Sequence, residues 1–333
     1  MTDQYKLFGL EASPYSVKVR SYLRYKQIPH EWVVRGMAQM PEFQKYAKLP
    51  LVPLVVTPNE HGLQDSTPII EKLEEEFPEP SVTPQDPTLA FISYVLEEFG
   101  DEWGNKAMFH YRWRREVDQD SAASRIANEQ MGDQADPKTL EATTAMIKER
   151  MVSRVWFVGS SDETAPMIEA NFKELLELLE AHLVERNYLL GNRPCFGDFS
   201  LFGQLYECDS DPTPGTLIKE QFPSVSAWIE RMQNPTNNGD FEPWATLSDT
   251  LFPILKEQVG ALFLPWSNAN AKALENNEDT FTVELKGFAF TQKPQKYHKK
   301  SLTTLKQRYQ TYTQHNELQQ ILEASGCLAH LEM

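Results

Sequence analysis

The sequence predicts a two-domain protein in which an α/β domain precedes an all-α domain, with a further α/β segment at the carboxyl end. Three observations carry this prediction. Short apolar strands alternate with amphipathic helices over the first 80 residues, four prolines crowd into residues 77–87, and helical periodicity dominates beyond them. A chain of 333 residues is long enough for two domains that each bury a core of their own.

The amino-terminal elements follow the order β-α-β-α-β-β-α. We expect strands over 5–10, 30–34 and 51–56, and helices over 14–26, 41–49 and 67–76, with HGLQD leading through a turn into the last helix. Ser13 suits the N-cap of the first helix and Pro14 suits its first turn. The first domain is therefore placed at residues 1–80, and residues 81–87 are the predicted linker.

The remainder divides into a helical domain at 88–245 and an extension at 246–333. Helical patterns cover residues 88–130, 138–158, 164–187, 197–208 and 223–233. The extension continues with an apolar helical stripe that is predicted to break at Pro265. A strand pair turning at Lys286-Gly287 and closing helices within 298–312 and 317–326 complete it.

Composition excludes several classes of function. The net charge of −16 argues against nucleic acids and anionic membranes as partners, because both require clustered Lys and Arg. Cys195, Cys208 and Cys327 are widely spaced, which favours neither a zinc site nor a disulfide framework and indicates a reducing compartment. The first ten residues lack the pattern of a signal peptide, and no apolar run is long enough to span a bilayer. We expect a cytoplasmic protein without a metal site.

Five short motifs occur in an order that indicates one family. They are ASPYSVKVR at 12–20, LPLVPLVV at 49–56, LQDSTPIIEKLEEEFP at 63–78, RPCFGDFSLFGQLYE at 193–207 and FPSVSAWIERM at 222–232. Over residues 5 to about 235 the chain resembles a soluble glutathione transferase, nearest to the serine-type, omega-like and bacterial members. The resemblance implies a thioredoxin-like glutathione-binding domain, a helical bundle like the carboxyl-terminal domain of that family, and an added extension.

The resemblance implies that glutathione is the co-substrate and that Ser13 is the catalytic residue. A free thiol has a pKa of about 8.5, and lowering it by two units requires about 2.7 kcal/mol of preference for the thiolate. One hydrogen bond from the Ser13 hydroxyl, together with the positive end of the helix, can supply that energy. The alternative is that Ser13 is only an N-cap. Tyr15, in the same turn, is assigned to the binding site, with simple packing as its alternative.

The resemblance also assigns Val52, Pro53, Asp65 and Ser66 to glutathione binding. The bond before Pro53 would be cis, and the Val52 backbone would pair with the cysteinyl backbone of glutathione. Ser66 would receive the γ-glutamyl carboxylate at a helix N-terminus, and Asp65 would face its ammonium group. The alternative for this pair is plain N-capping of the helix.

The chain departs from the family pattern just before the Val-Pro pair. Many members have Gly-Lys or Gly-Gln at that point, whereas this chain has Pro50-Leu51. A polar contact to glutathione is thereby lost, and Lys48 is the candidate to replace it.

Phe109, His110, Trp113 and Arg114 place aromatic and basic groups on one broad side of a predicted helix. In the resembled fold the corresponding helices line the pocket for the second substrate. These four residues therefore predict an electrophilic acceptor that is aromatic or anionic. The alternative is a buried aromatic core with exposed arginines.

The predicted function is a glutathione transferase, and the alternative is a catalytically inactive protein of the same fold that acts as a binding or scaffold protein. The resemblance implies a homodimer. We expect the extension to pack on the helical domain, either covering the acceptor pocket as a lid or bracing the fold away from it.

Overall fold

The structure is a computed structural model that describes residues 4–132 and 135–332. Residues 1–3, where the first predicted domain begins, and residue 333, where the extension ends, lie outside the described residues. Within the described parts of the chain, none of the helices combines the length and apolar character that crossing a membrane requires.

The amino-terminal region is a four-stranded mixed sheet with three helices. Its elements are β1 (Tyr5–Gly9), α1 (Pro14–Tyr25), β2 (His30–Val34), α2 (Met40–Tyr46), β3 (Leu54–Val56), β4 (Gly62–Gln64) and α3 (Ser66–Glu76). The strand order is β2-β1-β3-β4, with β1 parallel to β2 and the other two pairs antiparallel. The predicted element order is confirmed, and the segment HGLQD contributes the short strand β4 before the last helix.

The helical region begins after the proline-rich segment. Its helices are α4 (Pro87–Phe99), α5 (Asn105–Arg114), α6 (Glu116–Met131), α7 (Pro137–Val152), α8 (Ala165–Leu183), α9 (Phe196–Ser210), α10 (Pro212–Gln221) and α11 (Pro223–Met232). A π-helical turn, Gly100–Gly104, joins α4 to α5, and a 3₁₀ turn, Val155–Val158, follows α7.

Two features of this region differ from the sequence prediction. The stretch predicted as helical over 88–130 is three helices, because the π-turn widens it and Arg115 adopts an extended backbone (φ −105°, ψ 139°). Helix α10 was not predicted, because Pro212, Pro214 and Gly215 lower its helical propensity. A proline is tolerated in the first turn of a helix, where its missing N–H would have no intrahelical partner.

The carboxyl-terminal region is ordered throughout its described length. It contains α12 (Trp244–Ile254), a π-helical segment Leu255–Phe263, α13 (Leu264–Glu275), β5 (Phe281–Leu285), β6 (Phe288–Gln292), α14 (Lys296–Tyr309), α15 (Asn316–Ala324) and α16 (Leu328–Leu331). Strands β5 and β6 form an antiparallel hairpin. Lys286 and Gly287 make its turn with positive φ angles of 48° and 81°, which confirms the predicted turn.

The predicted helix break at Pro265 is wrong. The backbone stays helical from Trp244 to Glu275, with Phe263 at φ −62° and ψ −55° directly before α13. The π-helical segment ends just before Pro265, which then occupies the first turn of α13. The missing N–H of the proline is tolerated at such a position.

The extension shares its core with the helical region. The ring of Phe263 packs against Phe99 with centroids 6.2 Å apart, and Tyr309 packs against Phe91 at 5.5 Å. Trp266 is fully buried and meets Trp103 edge-on at 5.5 Å. The aromatic contacts therefore place the extension against α4 and the π-turn that follows it.

A buried ion network joins the sheet domain to the helices. Lys18 of α1 is fully buried, and its Nζ donates to Glu97 Oε1 and to Asp101 Oδ2, both at 2.6 Å. It also donates to Thr67 Oγ1 of α3 at 3.2 Å. Burial alone would lower the pKa of Lys18, but the carboxylates of Asp101 and Glu97 raise it above its ordinary value. The lysine is therefore a buried cation that holds four elements together, namely α1, α3, α4 and the π-turn.

Candidate functional site

Ser13 is the N-cap of α1 and lies half-buried where β1 leads into that helix. Its backbone is extended (φ −111°, ψ 111°), and its Oγ accepts the N–H of Ser16 at 3.3 Å. The buried Arg112 donates from Nη1 to the carbonyl oxygen of Ala12 at 3.1 Å and so holds the residue before the cap. A serine hydroxyl that accepts one hydrogen bond still has its own hydrogen to donate. The capping role therefore leaves Ser13 able to donate to a ligand.

Residues 48–53 form the loop that leads into β3, and the side chain of Gln64 holds this loop in place. Gln64 Oε1 accepts two backbone N–H groups of the loop at 2.9 and 3.0 Å, and its Nε2 donates to two loop carbonyls at 2.7 Å. The Val52–Pro53 peptide is cis, as the resemblance implies. The backbone N–H and C=O of Val52 have no partner among the described residues, so both can pair with a ligand.

Asp65 precedes α3 with a backbone conformation that few non-glycine residues adopt (φ 81°, ψ 126°). Such strain costs energy and is concentrated at functional sites. The Asp65 side chain does not cap the helix. One of its carboxylate oxygens instead accepts the hydroxyl hydrogen of Tyr297 from α14 at 2.9 Å. Plain N-capping by Asp65 is therefore not its role, and its carboxylate faces the extension.

These segments converge on one cavity of about 530 Å³, a volume that suits a small-molecule ligand. The predicted site residues that line it are Tyr15, Lys48, Val52, Pro53, Asp65 and Ser66. Ser13 lies outside the lining. The extension adds Gln295, Tyr297, His298 and Lys300. The cavity is thus formed by residues of the sheet domain, the π-turn region and α14.

The rim of the cavity is apolar and open to solvent. Leu49, Leu51, Phe157 and Tyr297 line it, and each is between 45% and 61% exposed. Isolated exposed apolar residues are ordinary, but four that border one cavity mark a binding surface. The rim favours a ligand with an apolar or aromatic part.

Tyr15 is engaged inside the protein. Its hydroxyl donates to the carbonyl oxygen of Asp101 at 3.1 Å, and Asn105 Nδ2 lies 3.5 Å from it. Burial raises the pKa of Tyr15 above its ordinary value, with the charges of Glu102 and Asp101 adding to the effect. The proton of Tyr15 therefore stays on the phenol and serves the contact with α5 and the π-turn.

A buried acid–imidazole pair faces the same cavity. Glu102 of the π-turn and His298 of α14 are about 95% buried, and Nδ1 of His298 makes a short hydrogen bond with Glu102 Oε2. Burial raises the pKa of Glu102 well above its usual range, and the neighbouring Asp101 adds to the rise. Burial also lowers the pKa of His298 to about 3, assisted by the charge of Lys106. Burial therefore favours the uncharged form of both members, a protonated carboxyl beside a neutral imidazole.

Lys106 stands behind this pair in an aromatic enclosure. Its Nζ lies 3.7 Å from the ring centroid of Trp266 and 5.2 Å from that of Trp103, and it donates to Gln292 Oε1 at 3.0 Å. Burial lowers the pKa of Lys106 well below its usual range, although Glu102 opposes the shift. This lysine ties α5 to the hairpin and to α13.

Two family models match the chain over the regions just described. The glutathione S-transferase N-terminal domain matches residues 7–81, and the glutathione S-transferase C-terminal domain matches residues 140–231. The chain belongs to the soluble glutathione S-transferase superfamily. No curated protein matches this superfamily member.

Solved structures of the superfamily resemble it at low identity. A glutathione S-transferase from Methylobacterium radiotolerans, in complex with glutathione sulfonate, is 20% identical over 74% of this chain and 94% of its own, with a TM-score of 0.44. One from Methylobacillus flagellatus with glutathione bound is 19% identical over 74% and 98%, with a TM-score of 0.41. The β-etherase LigF from Sphingobium sp. strain SYK-6 is 20% identical over 68% and 94%, with a TM-score of 0.44.

The predicted acceptor residues of this superfamily member do not line the cavity. His110 is buried and bonds to Ser160 Oγ at 2.8 Å and to Glu169 Oε1 at 3.0 Å. Trp113 is buried in a separate apolar cluster, Phe109 packs against it, and Arg114 pairs with Asp162. The side of α5 that carries them is covered by α6, α7 and the 3₁₀ turn. The cavity faces the preceding turn instead.

The residues that sequence reasoning missed come from that turn and from α14. Glu102 lies within the π-turn and Asn105 directly follows it, and the helical phase of such a turn cannot be inferred from a regular 3.6-residue repeat. His298 lies in the run KYHKK, which is typical of a solvated helix face. One usable signal was Glu102 itself, an acidic residue soon after the largely apolar helix α4.

Proposed function

We propose that this superfamily member is a glutathione-dependent transferase in which the glutathione thiolate attacks an electrophilic, aromatic or anionic small molecule. The observation that carries the proposal is the convergence of the Val52–Pro53 loop, the Asp65–Ser66 start of α3 and Lys48 on one ligand-sized cavity. A glutathione molecule presents a peptide backbone, two carboxylates, an ammonium group and a thiol, and each of these groups except the thiol has a chemically matched partner there.

Glutathione would lie across the edge of the sheet. The Val52 backbone would pair with the cysteinyl residue, and the N-terminus of α3 at Ser66 would receive the γ-glutamyl carboxylate. The Asp65 carboxylate would face the ammonium group, and Tyr297 already holds one of its oxygens at 2.9 Å. Lys48 is exposed and would neutralise a carboxylate at the other end of the tripeptide.

The thiol would then lie near the start of α1, where Ser13 is the available donor. Its Oγ accepts from Ser16, which leaves the hydroxyl hydrogen free for the sulfur. Tyr15 is not the donor, because its hydroxyl hydrogen is directed to the carbonyl of Asp101. The sulfur would form a bond to an electrophilic carbon of the acceptor while the leaving group departs with its bonding electrons.

Replacing Ser13 with alanine tests this assignment. We expect kcat/KM for glutathione conjugation of chlorodinitrobenzene to fall by about 10- to 100-fold, because a hydrogen bond to a charged acceptor contributes about 1.5–3 kcal/mol. The matched control is Ser16→Ala, since Ser16 lies three residues along the same helix and is fully buried. Equal activity of Ser13→Ala and the wild type would remove Ser13 from the mechanism.

A non-enzymatic binding protein is the second candidate. The hydrogen bond from Tyr297 to Asp65 favours it, because the contact spans the site that the γ-glutamyl group would use. Under this alternative the protein acts as a scaffold, glutathione does not bind saturably, and no electrophile is conjugated by either the wild type or Ser13→Ala.

We further propose a cytoplasmic homodimer with the domain limits 1–80, 88–245 and 246–333 around the linker 81–87. The superfamily assignment supports the dimer, in which the sheet domain of one subunit would face the helical domain of the other. Light scattering is expected to give twice the chain mass of 38.3 kDa. A species of 38.3 kDa at all micromolar concentrations would contradict the dimer.

A further inference from the structure

Resting on the proposed function, we infer that the Glu102–His298 pair donates a proton to the departing oxygen, so that the preferred acceptors are apolar electrophiles in which a carbon–oxygen bond breaks, such as epoxides and aryl ethers. The inference names a general acid and the chemical class of acceptor. It assigns to the extension a chemical role in addition to its packing role.

The position of the pair supports this role. Glu102 belongs to the π-turn and His298 to α14, so the two residues are brought together only by the docking of the extension. Both line the cavity that Tyr15 and Ser66 also line. π-helical turns are rare and occur frequently at functional sites. A buried polar pair that an apolar pair could replace without loss of stability is a candidate for function.

The imidazole is oriented for proton transfer. Its Nδ1 is fixed by Glu102, whereas its Nε2 makes no hydrogen bond with the residues that the structure describes, and His298 lines the cavity. The ring of Trp266 meets the imidazole edge-on, with centroids 4.7 Å apart, and holds its plane. In the uncharged pair that burial favours, the carboxyl hydrogen of Glu102 is directed to Nδ1, and Nε2 carries the hydrogen of the ring.

Burial is the main reason why the uncharged pair is favoured. It raises the pKa of Glu102, and Asp101 and Asp65 add to the rise, whereas Lys106 and Lys18 oppose it. Burial also lowers the pKa of His298, and the charge of Lys106 assists. An uncharged pair holds a proton that it can give to a negative oxygen that develops nearby.

The pair supplies the proton that the reaction consumes and is protonated again at the end of the cycle. The thiolate forms a C–S bond, the C–O bond breaks, and the oxygen takes the proton from His298 Nε2 while the carboxyl proton of Glu102 moves to Nδ1. The pair is left with one negative charge on Glu102. The thiol of the next glutathione returns one proton when it ionises, which restores the neutral pair and the thiolate together.

The chemistry of the leaving group explains why oxygen is preferred. A halide departs as a stable anion and takes no proton, so a proton donor contributes little to its expulsion. An alkoxide or phenoxide is a strong base, so its release as an anion is costly. Protonation of the oxygen in the transition state removes that cost. The apolar rim formed by Leu49, Leu51, Phe157 and Tyr297 supports the apolar part of the acceptor class.

The test compares two probes that differ in the leaving atom. Nitrophenyl glycidyl ether opens to an alkoxide, and chlorodinitrobenzene releases chloride. For His298→Gln and for the isosteric Glu102→Gln, we expect kcat with the epoxide to fall by about 100-fold more than kcat with the chloride, the lower end of what a general acid contributes. The matched control is His182→Gln, a buried histidine that bonds to Thr250 and to a backbone carbonyl. It should slow both probes in the same proportion.

Equal losses with both probes for His298→Gln and Glu102→Gln would overturn the inference, because a purely structural role affects both leaving groups alike. If the variants fail to fold, a measurement on the wild type alone tests the inference. With a series of substituted aryl ethers, its rates should depend only weakly on the pKa of the departing phenol. A dependence as steep as in the uncatalysed reaction would also overturn the inference. Absence of conjugation with either probe would instead refute the proposed function.

Discussion

Replacing Lys18 with methionine is expected to lower the free energy of unfolding by about 3–5 kcal/mol. The side chain is fully buried and donates to Glu97, Asp101 and Thr67. Removing one partner of a buried ion pair leaves the other charges without compensation, and this is the costly way to break such a pair. Because the lysine joins α1 to α3, α4 and the π-turn, the variant should also loosen the contact that supports the cavity.

Urea denaturation of Lys18→Met measures this effect, and Lys45→Met is the control. Lys45 also pairs with a glutamate, Glu60 at 3.2 Å, but both side chains are more than half exposed. An exposed pair contributes about 0–1 kcal/mol, so the control should unfold close to the wild type. Adding Glu97→Gln to Lys18→Met should recover part of the loss, since one of the uncompensated charges is removed. Similar stabilities for Lys18→Met and Lys45→Met would contradict the network.

Replacing Trp266 with alanine is expected to cost about 3–5 kcal/mol of unfolding free energy, although the residue belongs to the extension. Large buried aromatic residues cost this much when they are truncated. Trp266 contacts Trp103 and Lys106 Nζ and donates from Nε1 to Gln292 Oε1 at 3.0 Å. The variant leaves a cavity and removes the aromatic face against which Lys106 Nζ lies.

The control for this prediction is Trp156→Ala, a tryptophan that is 45% exposed. We expect it to change stability by less than about 1 kcal/mol. A single cooperative transition in urea for Trp266→Ala, shifted to lower concentration, is the expected result. Two separate transitions would show that the extension unfolds on its own, which contradicts a core shared with α4.

The fold was predictable where its pattern is local. Strands β1 and β2 lie at the predicted positions because short apolar runs are bounded by turn residues, and α1 begins at Pro14 because a serine caps it. The errors fall where local propensity misleads. Pro265 lies in the first turn of α13. The π-helical segment before it keeps the backbone helical, so the predicted break does not occur. Tertiary packing decides such cases.

The two parts of the candidate site differ in the same way. The residues that the resemblance assigns to glutathione mostly line one cavity, because the motifs at 12–20, 49–56 and 63–78 meet at one sheet edge. The residues of the proposed acceptor site could not be predicted, because their positions depend on which distant element covers the helices. Trp113 is covered by α6 and α7, whereas Glu102 meets His298 across 196 positions of the chain. No repeat or spacing in a single sequence predicts the contact between Glu102 and His298.

The contacts of the extension are compatible with both of its predicted roles, as a brace for the fold and as a lid over the acceptor pocket. The apolar side of α13 lies in the shared core, and the start of α14 supplies Tyr297 and His298 to the cavity. Deleting residues 246–333 would therefore expose buried apolar surface, so point variants such as Trp266→Ala and His298→Gln separate packing from chemistry more cleanly.

Titration calorimetry of the full-length protein with glutathione tests the central claim most directly, because that claim is a glutathione site between the Val52–Pro53 loop and the start of α3. We predict saturable binding with a Kd of about 1 mM or lower, and binding at least tenfold weaker for Ser66→Ala, since one hydrogen bond to the γ-glutamyl carboxylate is lost. The exposed Ser153→Ala should bind like the wild type. No saturable heat at millimolar glutathione, or equal affinity of Ser66→Ala and the wild type, would contradict the account.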